Sequence, residues 1–411
     1  MSMIRRFFDL YRQAYTGLPR RAWILFGVNL VNASGSMVFF FLSLYLTRRL
    51  GFSPAEAGRA LSLYGVGSLA GAYLGGWLSD RIGSTSVQKL SLALSGVLLI
   101  AMGQIRSAAV LLPTLLGFGV VAGSLYPANA TSMARVCPAE LQVKGFALNR
   151  LANNLGVTIG PAVGGLLALR DYRLLFWADG LTCLAAVGLF VLLWPKAEGG
   201  LRRSEARTPR EDDVQSPWRD RPFLGLLLVT IGFGMIFIQL LSTFPLYMRG
   251  AYGLAEESIG RLLAVNTILI VLLEMALMEF IRRYPLTRMI NISFVLMGIG
   301  FGLMPLGRGF AYAALTVAVW TFGEMLSMPL FTSLISGRAR PESRGRYLGL
   351  FSFAFSLALI IGPALGAAVY ERWGGAALWF GCGAAGFLLA AAFSLLKRSL
   401  ADRPAAGASG P

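Results

Sequence analysis

Histidine is absent from all 411 residues. No imidazole can therefore serve as a base, a proton relay or a metal ligand in this chain. Charge is also scarce: Asp, Glu, Lys and Arg make up 14% of the residues, against about 25% in a soluble domain. Cysteine is limited to Cys137, Cys183 and Cys382. Three isolated cysteines make neither a disulfide scaffold nor a metal site. No Gly-x-x-x-x-Gly-Lys-Ser/Thr loop occurs, so direct nucleotide drive has no motif to carry it. No cofactor and no metal is expected. What the chain has in excess is apolar surface, 56% of residues, which excludes disorder. These traits together describe a polytopic membrane protein whose solvent is the lipid bilayer.

A helix needs roughly 20 apolar residues to cross a bilayer. That window predicts twelve spans, at about 22–47, 57–79, 88–105, 108–130, 146–169, 173–194, 222–248, 257–281, 288–306, 309–334, 346–370 and 375–396. Backbone polar groups cannot stay unpaired in lipid, so each run is helical. The first run follows a basic segment and is too long for a signal-peptide core, so it is read as a retained span. The net charge of +17 would suggest nucleic acid in a soluble protein. In this chain it reads as topology, and no nucleic-acid partner is expected. With the N-terminus inside, the outer loops carry fewer than half as many Lys and Arg as the inner segments, which places both termini in the cytoplasm.

One long polar stretch interrupts the pattern, from Pro195 to Arg221. The expected organisation is a basic N-terminus (1–21), a six-helix bundle (22–194), a flexible linker (195–221), a second six-helix bundle (222–396) and a tail (397–411). An internal repeat supports two halves. Span five carries Gly156-Val-Thr-Ile-Gly160-Pro161-Ala-Val-Gly164-Gly165, and span eleven carries Gly362-Pro363-Ala-Leu-Gly366-Ala367. Upstream of each lies a proline followed by a basic–glycine pair, Pro138…Lys144-Gly145 and Pro341…Arg344-Gly345. Two units offset by about 200 residues match span five to span eleven, as a 6+6 duplication demands.

Three local signatures now carry a resemblance to the major facilitator superfamily that covers essentially the whole chain. Gly76-Trp-Leu-Ser-Asp80-Arg81-Ile-Gly83, between spans two and three, resembles that family's G-x-x-x-D-R-x-G loop, with Ser84, Thr85 and Ser86 where a basic pair usually follows. Gly156 to Gly165 resembles the G-x-x-x-G-P-x-x-G-G signature of the drug:proton antiporter branch, with Ala147 at an upstream position that is Gly in the pattern. Phe322-Gly323-Glu324…Pro329 with Pro341…Arg344-Gly345 is similar to some multidrug exporters and to proton-dependent oligopeptide transporters. The Glu-x-x-Glu-Arg-Phe pattern of the latter is missing from span one, and Arg135 stands where related exporters tend to carry Asp. The resemblance implies an all-α membrane protein of twelve transmembrane helices in two pseudo-symmetric six-helix bundles. It also implies a cytoplasmic latch at Asp80 and Arg81, and a central cavity lined by spans one, four, seven and ten.

The residues themselves single out few titratable groups inside the spans. A mid-membrane charge costs roughly 2.5–3.5 kcal/mol even on insertion scales, and a desolvated carboxyl can take up a proton near neutral pH. Glu324 lies mid-span in helix ten, with Trp320, Ser327 and Phe331 on the same face by spacing. An aromatic face with one acid suits a lipophilic, even cationic, small molecule. Glu274 in span eight shares a face with Asn266 and is the second candidate for proton coupling. Arg150, with Asn154 and Thr158 at i+4 and i+8, is the third. Glu279 reads as an interfacial ion-pair partner, and Asp179 fits a structural or a functional role equally. Asn29, Asn32 and Ser36 in span one and Gln239, Ser242 and Thr243 in span seven occupy symmetry-related helices. Tyr126, Phe233 and Phe237 are the expected aromatic lining. Gly160, Pro161, Gly164, Gly165, Gly362 and Pro363 remove bulk or bend helices and belong to packing and gating rather than substrate chemistry.

The function expected is proton-coupled export of hydrophobic or amphipathic compounds by a monomeric transporter of a bacterial inner membrane, with a small-molecule substrate and protons as partners. Proton-coupled uptake of a small metabolite or peptide, and a non-transporting membrane sensor, are the alternatives. An enzyme is not expected, since the spans hold no nucleophile–base pair.

Overall fold

The computed structural model describes residues 16–195, 216–340 and 343–401. Most of the expected linker, and parts of the N-terminal segment and tail, lie outside the described residues. All regular structure among the described residues is helical. In chain order the helices are α1 (Arg20–Ser34), α2 (Val38–Leu44), α3 (Pro54–Leu78), α4 (Ser84–Met102), α5 (Ala108–Gly123), α6 (Leu125–Val136), α7 (Gln142–Arg170), α8 (Arg173–Leu193), α9 (Arg221–Phe237), α10 (Gln239–Ser242), α11 (Phe244–Gly250), α12 (Glu256–Ile281), α13 (Leu286–Leu303), α14 (Phe310–Arg338) and α15 (Arg344–Ala401).

The sequence pattern predicts twelve spans, whereas ten helical stretches among the described residues are long and apolar enough to cross a membrane. The difference lies in two double-length stretches, 49 residues over Pro54–Met102 and 54 over Arg344–Lys397. In both, helical hydrogen bonding runs through a point where charge and glycine predict a break. Between α3 and α4 the chain passes through a π-helical turn, Ser79–Gly83. Gly83 there takes φ 88°, a conformation that an L side chain enters only at a cost. In α15 the irregular point is Gly374, at φ 85° and ψ 163°.

By its contacts the chain divides into two compact units. The first comprises Met1–Phe39 and Val66–Ser204, the second Phe40–Gly65 and Glu205–Pro411. In the first unit α1 packs on α7 and α8, and α4 packs on α8, α6 and α5. Its core gathers Ala22, Leu25, Val28, Leu92, Met133, Leu148 and Phe190. Small residues set the helix spacing. A Cβ on Gly71 would come within 2.8 Å of the Val120 carbonyl carbon, and one on Gly123 within 2.7 Å of the Ser68 Cα. The buried polar groups pair among themselves: Gln88 donates to Ser132 Oγ (2.6 Å), and Ser132 donates to Ser84 Oγ (2.8 Å).

In the second unit α13 packs on α14 and α15, α9 on α15, and α12 on α14. Its interior is aromatic: Phe233, Phe294 and Phe331 stand 5.6–6.0 Å apart, and Phe301 packs between Trp320 and Trp379. The first half of α3 belongs to this unit because its glycines meet backbone. A Cβ on Gly58 would fall 2.5 Å from the Pro363 carbonyl oxygen, and one on Gly65 2.9 Å from that of Leu359. Ala55 N–H donates to the Glu371 carboxylate at 2.8 Å.

The 58-residue α15 would reach almost 90 Å if straight, about three times a hydrocarbon core. It doubles back instead. Tyr347 near its start donates to Asp220 Oδ2 (3.0 Å), while Arg338, paired with the same Asp220, reaches the carbonyls of Ser399 and Leu400 at its end (3.4 Å). Both ends of α15 therefore lie together.

Candidate functional site

The second unit brings two of the expected polar residues into contact. Asn266, buried on α12, donates from Nδ2 to Glu324 Oε2 on α14 at 2.8 Å and to Thr321 Oγ1 at 3.0 Å. Thr321 is fully buried and in turn donates to the Val317 carbonyl (2.6 Å). The approach of α14 to α13 is set by Gly323, where a Cβ would stand 2.8 Å from the Ser293 carbonyl oxygen. Glu324 is half-buried. An amide is a neutral donor: it stabilises an ionised carboxylate without cancelling its charge, and it leaves the carboxyl able to accept a proton. Glu274 is half-buried, about two turns further along α12.

The other expected residues of this unit make packing contacts and hydrogen bonds within it. Trp320 is 1% exposed, stacked on Phe301, and its indole N–H has no hydrogen-bond partner among the described residues. Ser327 is buried and donates to the Glu324 backbone carbonyl (2.8 Å). Phe233 is enclosed by Phe294 and Phe331, and Phe237 is half-buried between Phe233 and Phe355. Gln239 is buried at the α9–α10 junction. It donates to the carbonyls of Met235 and Gly362 (both 2.9 Å) and accepts from Ser242 and Thr243 (both 3.0 Å). Gly362 and Pro363 are buried on α15, and a Cβ on Gly362 would stand 3.3 Å from the Met235 Cα. Glu279 pairs with Arg282 on the surface (3.3 Å), as expected for an interfacial residue.

In the first unit the centre of the polar cluster is a residue the spacing did not single out. Asn149 on α7 accepts from Asn29 on α1 at both its side-chain and backbone oxygens (3.1 Å each), and from Asn129 on α6 at Oδ1 (3.3 Å). Asn32 accepts a weak bond from the Cys183 thiol (3.5 Å). Ser36 lies in the break between α1 and α2, where the carbonyls of Ser36 and Ser34 face Gly160 at 3.2 and 3.3 Å from its would-be Cβ. Pro161, Gly164 and Gly165 are buried on α7. Asp179 is buried and accepts the Val38 N–H (3.3 Å), which caps α2. Arg150 is exposed, Asn154 is half-buried, and Thr158 donates to the Asn154 carbonyl (2.8 Å). Tyr126 is 79% exposed. In the loop between α3 and α4, Gly76 has open space at its Cβ position, Asp80 and Arg81 are exposed, and Arg81 lies over the Trp77 ring at 3.9 Å.

The strongest electrostatic feature is one the sequence reading missed. Arg338 grips Asp220 with both arms, Nε to Oδ2 at 2.7 Å and Nη2 to Oδ1 at 2.6 Å, with both side chains almost wholly buried (4% and 2% exposed). Asp220 also accepts the Phe223 N–H (3.2 Å) and so caps α9. Burial alone would raise the Asp220 pKa. The Arg338 guanidinium, the Phe223 N–H and the Tyr347 hydroxyl together hold it below the ordinary carboxylate value. The Asp220-Arg221-Pro222 run was a readable helix-start signal. Its partner 118 residues away was not.

The family model of the Major Facilitator Superfamily matches residues 24–363. The chain belongs to this superfamily. It is thus an integral membrane protein of a transporter family, and nothing in that membership points to catalysis. Among relatives, it is 26% identical over 365 residues to an uncharacterised MFS-type transporter, YttB of Bacillus subtilis (87% of this chain, 90% of the relative). It is 26% identical over 373 residues to a Na(+), Li(+), K(+)/H(+) antiporter of Planococcus maritimus (82% and 87%). Multidrug resistance protein MdtH of Edwardsiella ictaluri is 24% identical over 347 residues (82% of each chain). In fold the chain is similar to a POT family transporter solved in complex with 5-aminolevulinic acid, with TM-score 0.80, 16% identity, and coverage of 94% of this chain and 98% of that one.

Proposed function

We propose that the chain is a proton-coupled secondary transporter that exports hydrophobic or amphipathic compounds, cationic ones included, by alternating access. The observation that carries this reading is the half-buried Glu324 carboxylate, held at 2.8 Å by the neutral Asn266 amide inside a helix long enough to span a membrane. A proton carrier must be loaded in one state and empty in another. A carboxyl group inside a span, with a neutral amide among its partners, is suited to that. Glu274 and Arg150 are the further coupling candidates. The relatives named as a multidrug resistance protein and as a cation/proton antiporter support export against protons.

Twelve crossings, with both termini in the cytoplasm of a bacterial inner membrane, are part of this reading. The two double-length stretches each supply two crossings, and the meeting of both α15 ends at Arg338 supports an even number for that stretch. The experiment is transport of a lipophilic fluorescent cation into inverted vesicles under an imposed pH gradient. Glu324→Gln should abolish gradient-driven accumulation while leaving substrate binding in place. Undiminished accumulation by that variant would sink the proposed role.

A further inference from the structure

The Asp220–Arg338 pair fixes the walls of a groove of about 450 Å³ lined by Ser216, Pro217, Trp218, Arg346, Gly349 and Leu350. One wall is the short turn Pro217–Arg219, anchored through Asp220. The other is the first turns of α15, anchored through Tyr347 to the same carboxylate. Gly349 leaves open space where a side chain would stand. The interior is apolar, yet Trp218 is 66% exposed at its rim. Arg346 is exposed beside it and makes no ion pair within the described residues. Four more exposed arginines, Arg219, Arg221, Arg340 and Arg344, follow or precede the three anchoring residues by one to three positions. The one described acid among them, Asp220, is consumed by Arg338. The result is an apolar slot with an aromatic rim inside a ring of positive charge that no described acid besides Asp220 offsets, at the point where helices leave the apolar part of the chain.

We propose that this groove binds an anionic phospholipid. Its phosphate sits on Arg346 with the Ser216 hydroxyl as a second donor, its glycerol region lies against Trp218, and its acyl chain lies along Pro217 and Leu350. Arginine suits a phosphate by geometry. Tryptophan is at home at headgroup depth. Basic pockets between membrane helices on the cytoplasmic side attract anionic lipid. The site takes from the functional reading only that these helix ends lie at the membrane boundary, and its test measures no transport, so the two can fail separately.

The test uses the full chain in a neutral detergent, titrated with phosphatidylglycerol, with phosphatidylcholine of the same chains, and with inorganic phosphate, and read by native mass spectrometry and thermal unfolding. Phosphatidylglycerol should bind and raise the melting temperature, while the other two should do so weakly or not at all. Arg346→Ala should weaken phosphatidylglycerol about five-fold, the equivalent of one juxtamembrane cation, and Arg346→Lys should recover most of it. Trp218→Ala should weaken both phospholipids. Equal binding by wild type and Arg346→Ala would overturn the proposal, as would inorganic phosphate matching the phospholipid. So would phosphatidylglycerol binding that appears only in an E211Q/D212N/D213N variant, because the chain's own acidic segment would then be the occupant.

Discussion

The two units use different chemistry at equivalent places. In the second, the start of α9, the end of α14 and both ends of α15 are tied by one buried ion pair with a tyrosine hydroxyl and two backbone carbonyls around it. In the first, the repeat offset of about 200 residues brings Arg135 opposite Arg338 and Lys144 opposite Arg344, but finds Gly17 near the place of Asp220. There Lys144 donates to the Thr16 carbonyl (3.4 Å). The first unit holds a neutral Asn29–Asn149–Asn129 cluster among its described residues. The duplication therefore kept the packing glycines and the cation positions, while among the described residues the carboxylate that turns a cation into a clamp is seen in the second unit.

The largest effect that could break this comparison is at the clamp. Asp220→Ala strands a buried guanidinium, and removing one partner of such a pair costs about 3–5 kcal/mol. Chemical unfolding followed by a probe in α14 should show this loss. Replacing both partners, Asp220→Ala with Arg338→Leu, should recover part of it. If Asp220→Ala lost under about 1 kcal/mol, the value of an exposed pair, the contrast between the units would have no energetic content.

Acid provides a version of the same test without mutation. Asp220 titrates below its unfolded value, so its contribution is present above an unfolded carboxylate pKa of about 3.9 and is lost as pH falls through the lower, folded value. The second unit should therefore lose stability below about pH 4. The asparagine cluster does not titrate, so the first unit should lose less over the same range. Differential hydrogen exchange between α7 and α14 would measure this.

Within the first unit, Asn149→Ala removes the acceptor for two asparagines at once. A net loss of about 2 kcal/mol is expected from bonds worth about 0.5–1.5 kcal/mol each, with Asn154→Ala as a milder control. A larger effect than Asp220→Ala would reverse the ranking of the units.

How far the sequence could be read follows from the range of the physics involved. The helical class and the apolar runs are patterns written along the chain itself, and the family match covers residues 24–363 of them. Glu324 and Asn266 were legible because polar residues are rare inside spans, so each one stands out. Asn149 was not, because it sits one residue before Arg150 and its role depends on which face α7 turns to α1. Arg338 was not, because an arginine at a helix end reads equally as topology or as half of a buried pair. Trp320 and Phe233 share a helix face with polar residues, yet pack inward. Periodicity gives a face, and the neighbouring helix decides whether that face meets a cavity or a core. Asp80-Arg81 marks a break between α3 and α4 in the sequence pattern, yet helical bonding continues through it as the π-helical turn Ser79–Gly83.

The smallest predicted effect concerns the two turns inside the double-length stretches, one in each unit. Gly83 in the first unit and Gly374 in the second stand at φ 88° and 85°, and neither would bring a Cβ within 4 Å of another atom. With sterics removed, only the positive-φ backbone with extended ψ (139° and 163°), a region that glycine alone populates readily, remains as a cost, about 1–3 kcal/mol for an alanine. Gly83→Ala and Gly374→Ala should therefore destabilise by similar amounts, and the two losses should add in the double variant because the sites share no partner. The measurement is urea unfolding in mild detergent on both single variants and the pair. A Gly83→Ala loss well above that of Gly374→Ala would mean that the turn after α3 carries strain beyond its φ, and the Asp80–Arg81 loop would then be the place to look for it.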